Sequence, residues 1–230
     1  MKTTMRNVLL VLLISLSAGC QTKSVPSSES VVRYAENQEI TGKEKQELIG
    51  SVHPGLFTEV DRANSEARET AVPVVPKTGE TITLPPGRYM IAGNPTGNIY
   101  VLDKDGKQIL REIVGDYAGA HTLTVSVDES MTVRADGGYD SVSVFPAETE
   151  PRNTLSAGVW KVGTDIDPGV YTISTDELYG YLQILERGKD PILYELIGGT
   201  SGKTESRVEL REGQWLRVTK TSTVVFNPAD

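Results

Sequence analysis

The stretch VGTDIDPGVYTI, residues 162–173, decides the fold, because it recurs earlier in the same chain. Residues 79–91 read GETITLPPGRYMI and repeat a glycine, an isoleucine and the phrase Pro-Gly-x-Tyr-x-Ile in the same order. The match continues downstream, where residues 97–103 (GNIYVLD) correspond to residues 180–186 (GYLQILE). Chance rarely keeps one register over such a span, so we interpret the two segments as a tandem duplication.

Each copy is predicted to consist of β-strands. Apolar residues alternate with polar ones in short runs, which is the pattern of a strand with one buried face. The expected inward positions are Ile99, Val101, Leu123, Val125, Val127, Met131, Val133, Leu182, Ile184, Val208, Leu210, Leu216 and Val218. Pro86-Gly87 and Pro168-Gly169 fit the central positions of a type II turn, in which the glycine has a positive φ. About six or seven strands per copy predict an all-β fold of two small β-sandwich, jelly-roll-like modules.

We expect five segments along the chain. An export signal at residues 1–19 precedes a lipid-anchored tether at residues 20–76. Two β-sandwich modules follow at residues 77–147 and 155–230. Residues 148–154 form the linker between them, and its polar composition is typical of a connector.

The single cysteine, Cys20, follows the pattern of an export signal. Lys2 and Arg6 supply a positive flank, and the apolar run at residues 8–16 is too short to span a bilayer. The phrase at residues 17–20, Ser-Ala-Gly-Cys, resembles the bacterial lipoprotein processing box, with serine where leucine is usual. The resemblance implies a diacylglyceryl cysteine with palmitate-like chains, which holds the protein on the extracytoplasmic face of the cell membrane. An ordinary secretory signal that leaves a free thiol is the alternative.

The tether differs in composition from the modules. Residues 21–30 are rich in Ser, Thr, Lys, Pro and Glu, as a flexible stalk would be. Four apolar residues further on fall at helical spacing: Leu56, Val60, Ala63 and Ala67. Two interpretations stay open, a short helix docked on the following module and a transient helix in a disordered arm.

Charge and residue content exclude several function classes. The formal net charge is −8, and loss of Lys2 and Arg6 with the signal makes it more negative, which disfavours nucleic acid and anionic lipid headgroups as partners. His53 and His121 are the only histidines, so neither a multi-histidine zinc site nor a Ser-His pair in both copies can form. We therefore predict that the protein is not an enzyme and has no cofactor or metal. Acidic loops at residues 103–106 and 165–169 are interpreted as solvated turns, with a structural calcium ion as the alternative.

The second copy also resembles a known family. Residues 155–173 are similar to the opening phrase, and residues 208–216 to the closing phrase, of a β module found in many secreted or lipid-anchored proteins of Gram-positive bacteria. The resemblance implies the module's fold and an extracytoplasmic location, and it brings no catalytic residue with it.

Aromatic residues give a binding hypothesis. Tyr89 and Tyr171 follow the Pro-Gly turn in each repeat, and Trp160 occupies the aromatic position of the family's opening phrase, so all three are expected in the core. Four further rings lack an aromatic counterpart in the first copy and are candidate partner-binding residues: Trp215, Tyr179, Tyr181 and Tyr194. Packing between the modules would explain them equally well.

The sequence thus predicts a non-catalytic surface lipoprotein that presents two β modules for binding to an envelope partner or for spacing from it. Its partners would be the membrane, through Cys20, and a cell-wall glycan or envelope protein. The alternatives are an enzyme that acts on cell wall or carbohydrate through Asp and Glu residues, and a purely structural envelope accessory.

Overall fold

The computed structural model describes residues 28–199 and 203–229, and within them the fold is all-β and of the β-sandwich type. Cys20 and the expected export signal lie outside the described residues, as does the start of the expected stalk. The arm comprises α1 (Glu29–Asn37), β1 (Glu39–Ile40), α2 (Gly42–Ile49), a 3₁₀ turn (Pro54–Phe57) and β2 (Thr70–Val72). The first copy comprises β3 (Glu80–Ile82), β4 (Gly87–Asn94), β5 (Thr96–Leu102), β6 (Gln108–Gly115), β7 (Thr122–Val127), β8 (Thr132–Asp136) and β9 (Ser141–Pro146). The second comprises β10 (Thr154–Lys161), β11 (Gly169–Ser174), β12 (Tyr179–Leu185), β13 (Ile192–Ile197), β14 (Ser206–Leu210) and β15 (Trp215–Pro228).

The two copies repeat one pattern of strand pairing. In the first copy β4 lies between β7 and β9, and β5 lies between β6 and β8. In the second, β11 lies between β14 and the end of β15, and β12 lies between β13 and the start of β15. The long strand β15 therefore forms both of the pairings that β8 and β9 form separately in the first copy. It bends at Lys220, a non-glycine residue with a φ of 59°.

Burial of the alternating residues confirms the predicted strand faces. Every expected inward position is buried, from Ile99 in the first copy to Val218 in the second. Tyr89, Tyr171 and Trp160 are buried as well, as the sequence predicts. The buried apolar residues form two clusters, one centred on each copy.

The predicted type II turns are wrong. Neither Gly87 nor Gly169 has a positive φ, and each begins a strand, β4 and β11 respectively. A Cβ at Gly87 would lie 2.8 Å from the Cβ of Ala67, so this glycine is needed for the close approach of the arm.

The arm is ordered and partly helical, but its helices are not where the spacing predicted them. The helices are α1 and α2, whereas the segment from Leu56 to Ala67 has only the end of the 3₁₀ turn. The apolar spacing there serves burial instead, since Leu56 and Ala67 join the first core cluster. No helix within the described residues is long and apolar enough to cross a bilayer.

The arm connects both copies. Its first strand, β1, pairs with β13, and its last strand, β2, pairs with β9, so the arm holds opposite ends of one eleven-stranded sheet. Between these strands, Arg62 donates to the Asp165 carboxylate at 2.8 Å, and Asn64 accepts from the main-chain N–H of Arg88 at 2.8 Å. The described arm is therefore a strap across the two modules.

A buried ion pair links the same three parts of the chain. Arg88 in β4 is fully buried, and its guanidinium lies 3.6 Å from Asp165 of the second copy. The guanidinium also donates to the carbonyl of Val159 at 3.1 Å and lies 4.6 Å from the ring centre of Trp160. These contacts fix the modules in one relative orientation.

Candidate functional site

Two of the four candidate aromatic residues are buried and do not offer a ring to a partner. Trp215 is 4% exposed, and its ring packs edge-on against Phe57 of the arm, with ring centres 6.1 Å apart. Tyr194 is 7% exposed and lies opposite Glu39 in the β1–β13 pair. Packing, the other explanation that the sequence left open for these rings, applies to Trp215, because the arm covers its ring.

The other two candidates lie together on the outer face of the second module. Tyr179 and Tyr181 are on the same side of β12, and their ring centres are 6.5 Å apart. Tyr179 is 51% exposed, while the hydroxyl of Tyr181 donates to Glu195 at 3.4 Å. Glu195 also accepts from Tyr34 of α1 at 2.5 Å, so the arm helps to position this pair of rings.

Both rings line a cleft of about 810 Å³ between the two modules, a volume within the range of small-molecule sites. The first module supplies β6 and the loop that follows it, with Ile113 and Tyr117 at the surface. The second module supplies the outer face of β12 and β15, and the arm adds Leu48. Exposed apolar side chains at this cleft include Tyr117, Leu178 and Tyr179.

The floor of the cleft contains polar side chains that sequence analysis did not identify. Gln183 follows Tyr181 on the same face of β12 and is 4% exposed. Its side-chain Oε1 is buried and has no hydrogen-bond partner among the described residues. Arg217 lies directly opposite Gln183 in the β12–β15 pair.

Glu112 joins the two modules at the cleft. It is a buried residue of β6, and its carboxylate accepts from the Thr219 hydroxyl at 2.5 Å and from the main-chain N–H of Lys220 at 3.2 Å. The Lys220 ammonium lies 5.1 Å from the ring centre of Tyr181. Glu112 thus supports the bend of β15 at its non-glycine residue of positive φ.

Burial shifts the pKa values of the two charged groups at the floor in opposite directions. Desolvation raises the pKa of Glu112, although the bonds from Thr219 and Lys220 and the charge of Arg217 oppose the rise. Desolvation lowers the pKa of Arg217, and the Glu112 carboxylate opposes that change. The two side chains therefore compensate each other's charge across the module boundary.

The histidines and the acidic loops considered from sequence do not form a catalytic or metal site among the described residues. The Nδ1 atom of His53 accepts from the N–H of Gly55 at 3.0 Å, so Nε2 carries the proton and faces Asp103 Oδ2 at 3.2 Å. His121 is exposed beside the cleft. Asp165, interpreted as part of a solvated turn with a calcium ligand as the alternative, is 1% exposed and is engaged by Arg62 and by the N–H of Lys161, so the solvated turn is wrong at this residue. Within residues 28–199 and 203–229, no group of three or more His, Cys, Asp or Glu side chains is placed to hold a metal ion.

Sequence reasoning missed Glu112 because it lies opposite Ile99 on the inner face of β6, where an apolar residue is expected. It missed Gln183 and Arg217 because alternation assigns them to the outer faces of their strands. Outer positions read as solvent-exposed until the packing of the modules is known. One signal was available, since the β12 sequence YGYLQIL places a glutamine among apolar and aromatic residues.

The cleft thus combines exposed rings with a polar floor, and it can hold a ligand by stacking and by side-chain hydrogen bonds. Known proteins do not identify that ligand: no protein-family model matches the chain, and no curated protein sequence matches it.

Proposed function

We propose that this protein is a non-catalytic, lipid-anchored protein of the extracytoplasmic face that binds an envelope partner in the cleft between its modules. The observation that carries the proposal is the cleft itself, in which exposed Tyr179 and Leu178 adjoin a buried polar floor. Exposed apolar surface next to convergent polar groups is typical of binding sites.

The rigidity of the surroundings supports a binding role. Tyr181 and Gln183 belong to β12, a strand paired on both sides. Glu112 and the Arg88–Asp165 ion pair fix the first module against the second. A site whose walls are held in place loses little conformational entropy when a partner binds.

The proposed location rests on the sequence around Cys20. Two or three acyl chains hold a protein at a membrane where a single chain does not, because each buried methylene contributes about 0.8 kcal/mol. Confinement to the membrane raises the effective concentration of an envelope partner, so moderate affinity at the cleft suffices for function.

Replacement of Cys20 tests the location. When the full chain is expressed in a bacterial host, the Cys20→Ser variant should be absent from the membrane fraction, whereas the wild type should be found there. Mass spectrometry of the wild type should find an acyl adduct at Cys20. Membrane retention of the variant, or an unmodified cysteine in the wild type, would show that the anchor is wrong.

Site-specific photocrosslinking tests the cleft. A photoreactive amino acid at Leu178, which is 74% exposed beside the cleft, should give a discrete product in intact cells. The same group at Val74, which is 68% exposed and does not line the cleft, is the matched control. Equal product at both positions, or none at Leu178, would refute partner binding in the cleft.

A further inference from the structure

The floor of the cleft contains an acceptor that the fold leaves unpaired. Gln183 is more than nine-tenths buried, and its Oε1 atom has no hydrogen-bond partner among the described residues. A buried unpaired acceptor is destabilising, and most native structures avoid it. Because Gln183 lines the cleft, a ligand with a hydrogen-bond donor would satisfy this atom.

A donor lies beside the acceptor. Arg217 lies directly opposite Gln183 in the β12–β15 pair and also lines the cleft. Its guanidinium forms no hydrogen bond with another described residue, and it interacts with the Glu112 carboxylate through space. A guanidinium has five N–H donors, so Arg217 has donors left for a ligand.

The acceptor of Gln183 and the donors of Arg217 together indicate which class of ligand fits the floor of the cleft. A hydroxyl both donates and accepts, so neighbouring hydroxyls can satisfy Gln183 and Arg217 together. A purely anionic ligand would face the Glu112 carboxylate, and a purely cationic one would face Arg217. Tyr179 adds a ring face that is half exposed at the cleft, suited to stacking on the apolar face of a sugar ring.

The position of the floor in the sheet disfavours an extended peptide. Peptides that bind β modules usually add a strand to a sheet edge and form main-chain hydrogen bonds there. Here the floor is the face of β12, whose main chain already pairs with β13 and β15. Recognition must therefore use side chains.

From these observations we infer that the cleft binds a hydroxyl-rich, uncharged glycan segment, with Gln183 and Arg217 bonded to its hydroxyls and Tyr179 stacked on a sugar ring. This inference rests on the proposed function, because it assumes that the cleft is the binding surface.

Calorimetric titration of the full chain in detergent tests the inference. The probes are neutral oligosaccharides, namely N-acetylglucosamine oligomers and cellulose and maltose oligomers, and the comparison probe is tetra-alanine. Wild type should bind at least one oligosaccharide series. Gln183→Leu and Tyr179→Ala should each weaken that binding at least about tenfold, as loss of a central hydrogen bond or ring commonly does. Gln108→Leu, an exposed glutamine at the start of β6 outside the cleft, should leave it unchanged.

Stability measurements separate a binding role of Gln183 from a structural one. Leucine removes the unpaired acceptor and keeps a similar volume, so Gln183→Leu should unfold at the same urea concentration as wild type or a higher one. Weak glycan binding by a variant of undiminished stability supports the inference. Glycan binding that survives Gln183→Leu overturns it.

The outcomes also distinguish this inference from the proposed function. If crosslinking at Leu178 succeeds while no oligosaccharide binds, or tetra-alanine binds in its place, the glycan assignment fails and the cleft remains a binding surface. If both crosslinking and oligosaccharide binding fail, both proposals fall.

Discussion

Arg88 is a charged side chain held in the interior by a few specific partners. Burial lowers its pKa to about 10, and the nearby Asp165 carboxylate limits the fall. Its Nε atom has no hydrogen-bond partner among the described residues, so the guanidinium is incompletely paired. The charge of Asp165 is therefore what makes a buried cation tolerable between the modules.

The variant Asp165→Asn should lower the free energy of unfolding by about 3–5 kcal/mol, because it leaves two cations, Arg88 and Arg62, without their counter-charge. Urea denaturation followed by tryptophan fluorescence measures the loss. The control is Asp176→Asn, whose ion pair with Lys203 is exposed and contributes about 0–1 kcal/mol. Similar losses in both variants would contradict the importance of the buried pair.

Glu112 predicts a pH dependence of stability. Burial raises its pKa in the folded chain, so its favourable contribution is complete below the unfolded-state pKa and is lost as the pH rises through the folded-state pKa. Glu112→Gln keeps an acceptor for Thr219 and carries no charge at any pH. The free energy of unfolding of the variant minus that of wild type should therefore rise as the pH is raised from about 4 to about 7. Urea denaturation at both pH values measures the difference, and a gain that is flat or falls with pH would count against this assignment.

At the scale of elements, the outer face of β12 and β15 shows which predictions from the sequence alternation can make and which it cannot. Alternation places Leu182 and Ile184 inside the second module and Gln183 outside it, and the structure agrees. The same outer face continues to Leu185 and Trp215, which belong to the core cluster of the first module. Sequence periodicity identifies the face of a strand, but it carries no information about which outer residues a neighbouring module or arm will cover.

The contact between β10 and β7 depends on a glycine. Gly158 pairs with Thr124 across the module boundary, has a φ of 145°, and a Cβ there would lie 2.1 Å from the Thr124 carbonyl oxygen. Gly158→Ala should therefore lower the free energy of unfolding by about 3 kcal/mol or more, since it adds a clash to backbone strain.

Gly106→Ala is the matched control in the same urea denaturation. Gly106 also has a positive φ, 74°, but a Cβ there meets no atom within 4 Å. This variant should lose only about 1 kcal/mol, the contribution of strain alone. If the two variants are equally destabilised, the approach of β10 to β7 is not what requires Gly158.

At the scale of the whole molecule, the duplication predicted the strands but not their assembly into one body. The Tyr-x-Ile residues of both repeats lie in predicted strands, β4 and β11, although each strand begins at the glycine that was assigned to a turn. The arm gave no comparable signal, because its contacts, such as Arg62 with Asp165, join residues far apart in the chain. The cleft was equally hidden, since it exists only where β6 meets the outer face of β12 and β15.

The two modules should unfold together. Trp160 reports on the second core cluster and Trp215 on the first, and both clusters adjoin the shared sheet and the arm. In each single-tryptophan variant, Trp160→Phe and Trp215→Phe, the fluorescence transition in urea should coincide with the far-UV circular dichroism transition. Fluorescence that changes before the circular dichroism in either variant would show that one module opens by itself.

The arm strands have a further consequence at the ends of the eleven-stranded sheet. A bare edge strand offers unpaired N–H and C=O groups to any strand of another copy. Here β1 and β2, both very short, occupy the two outermost places. One continuous segment thus covers part of the outer strand at each end of the main path through the sheet, and it reduces the length of strand on which a neighbouring copy could pair.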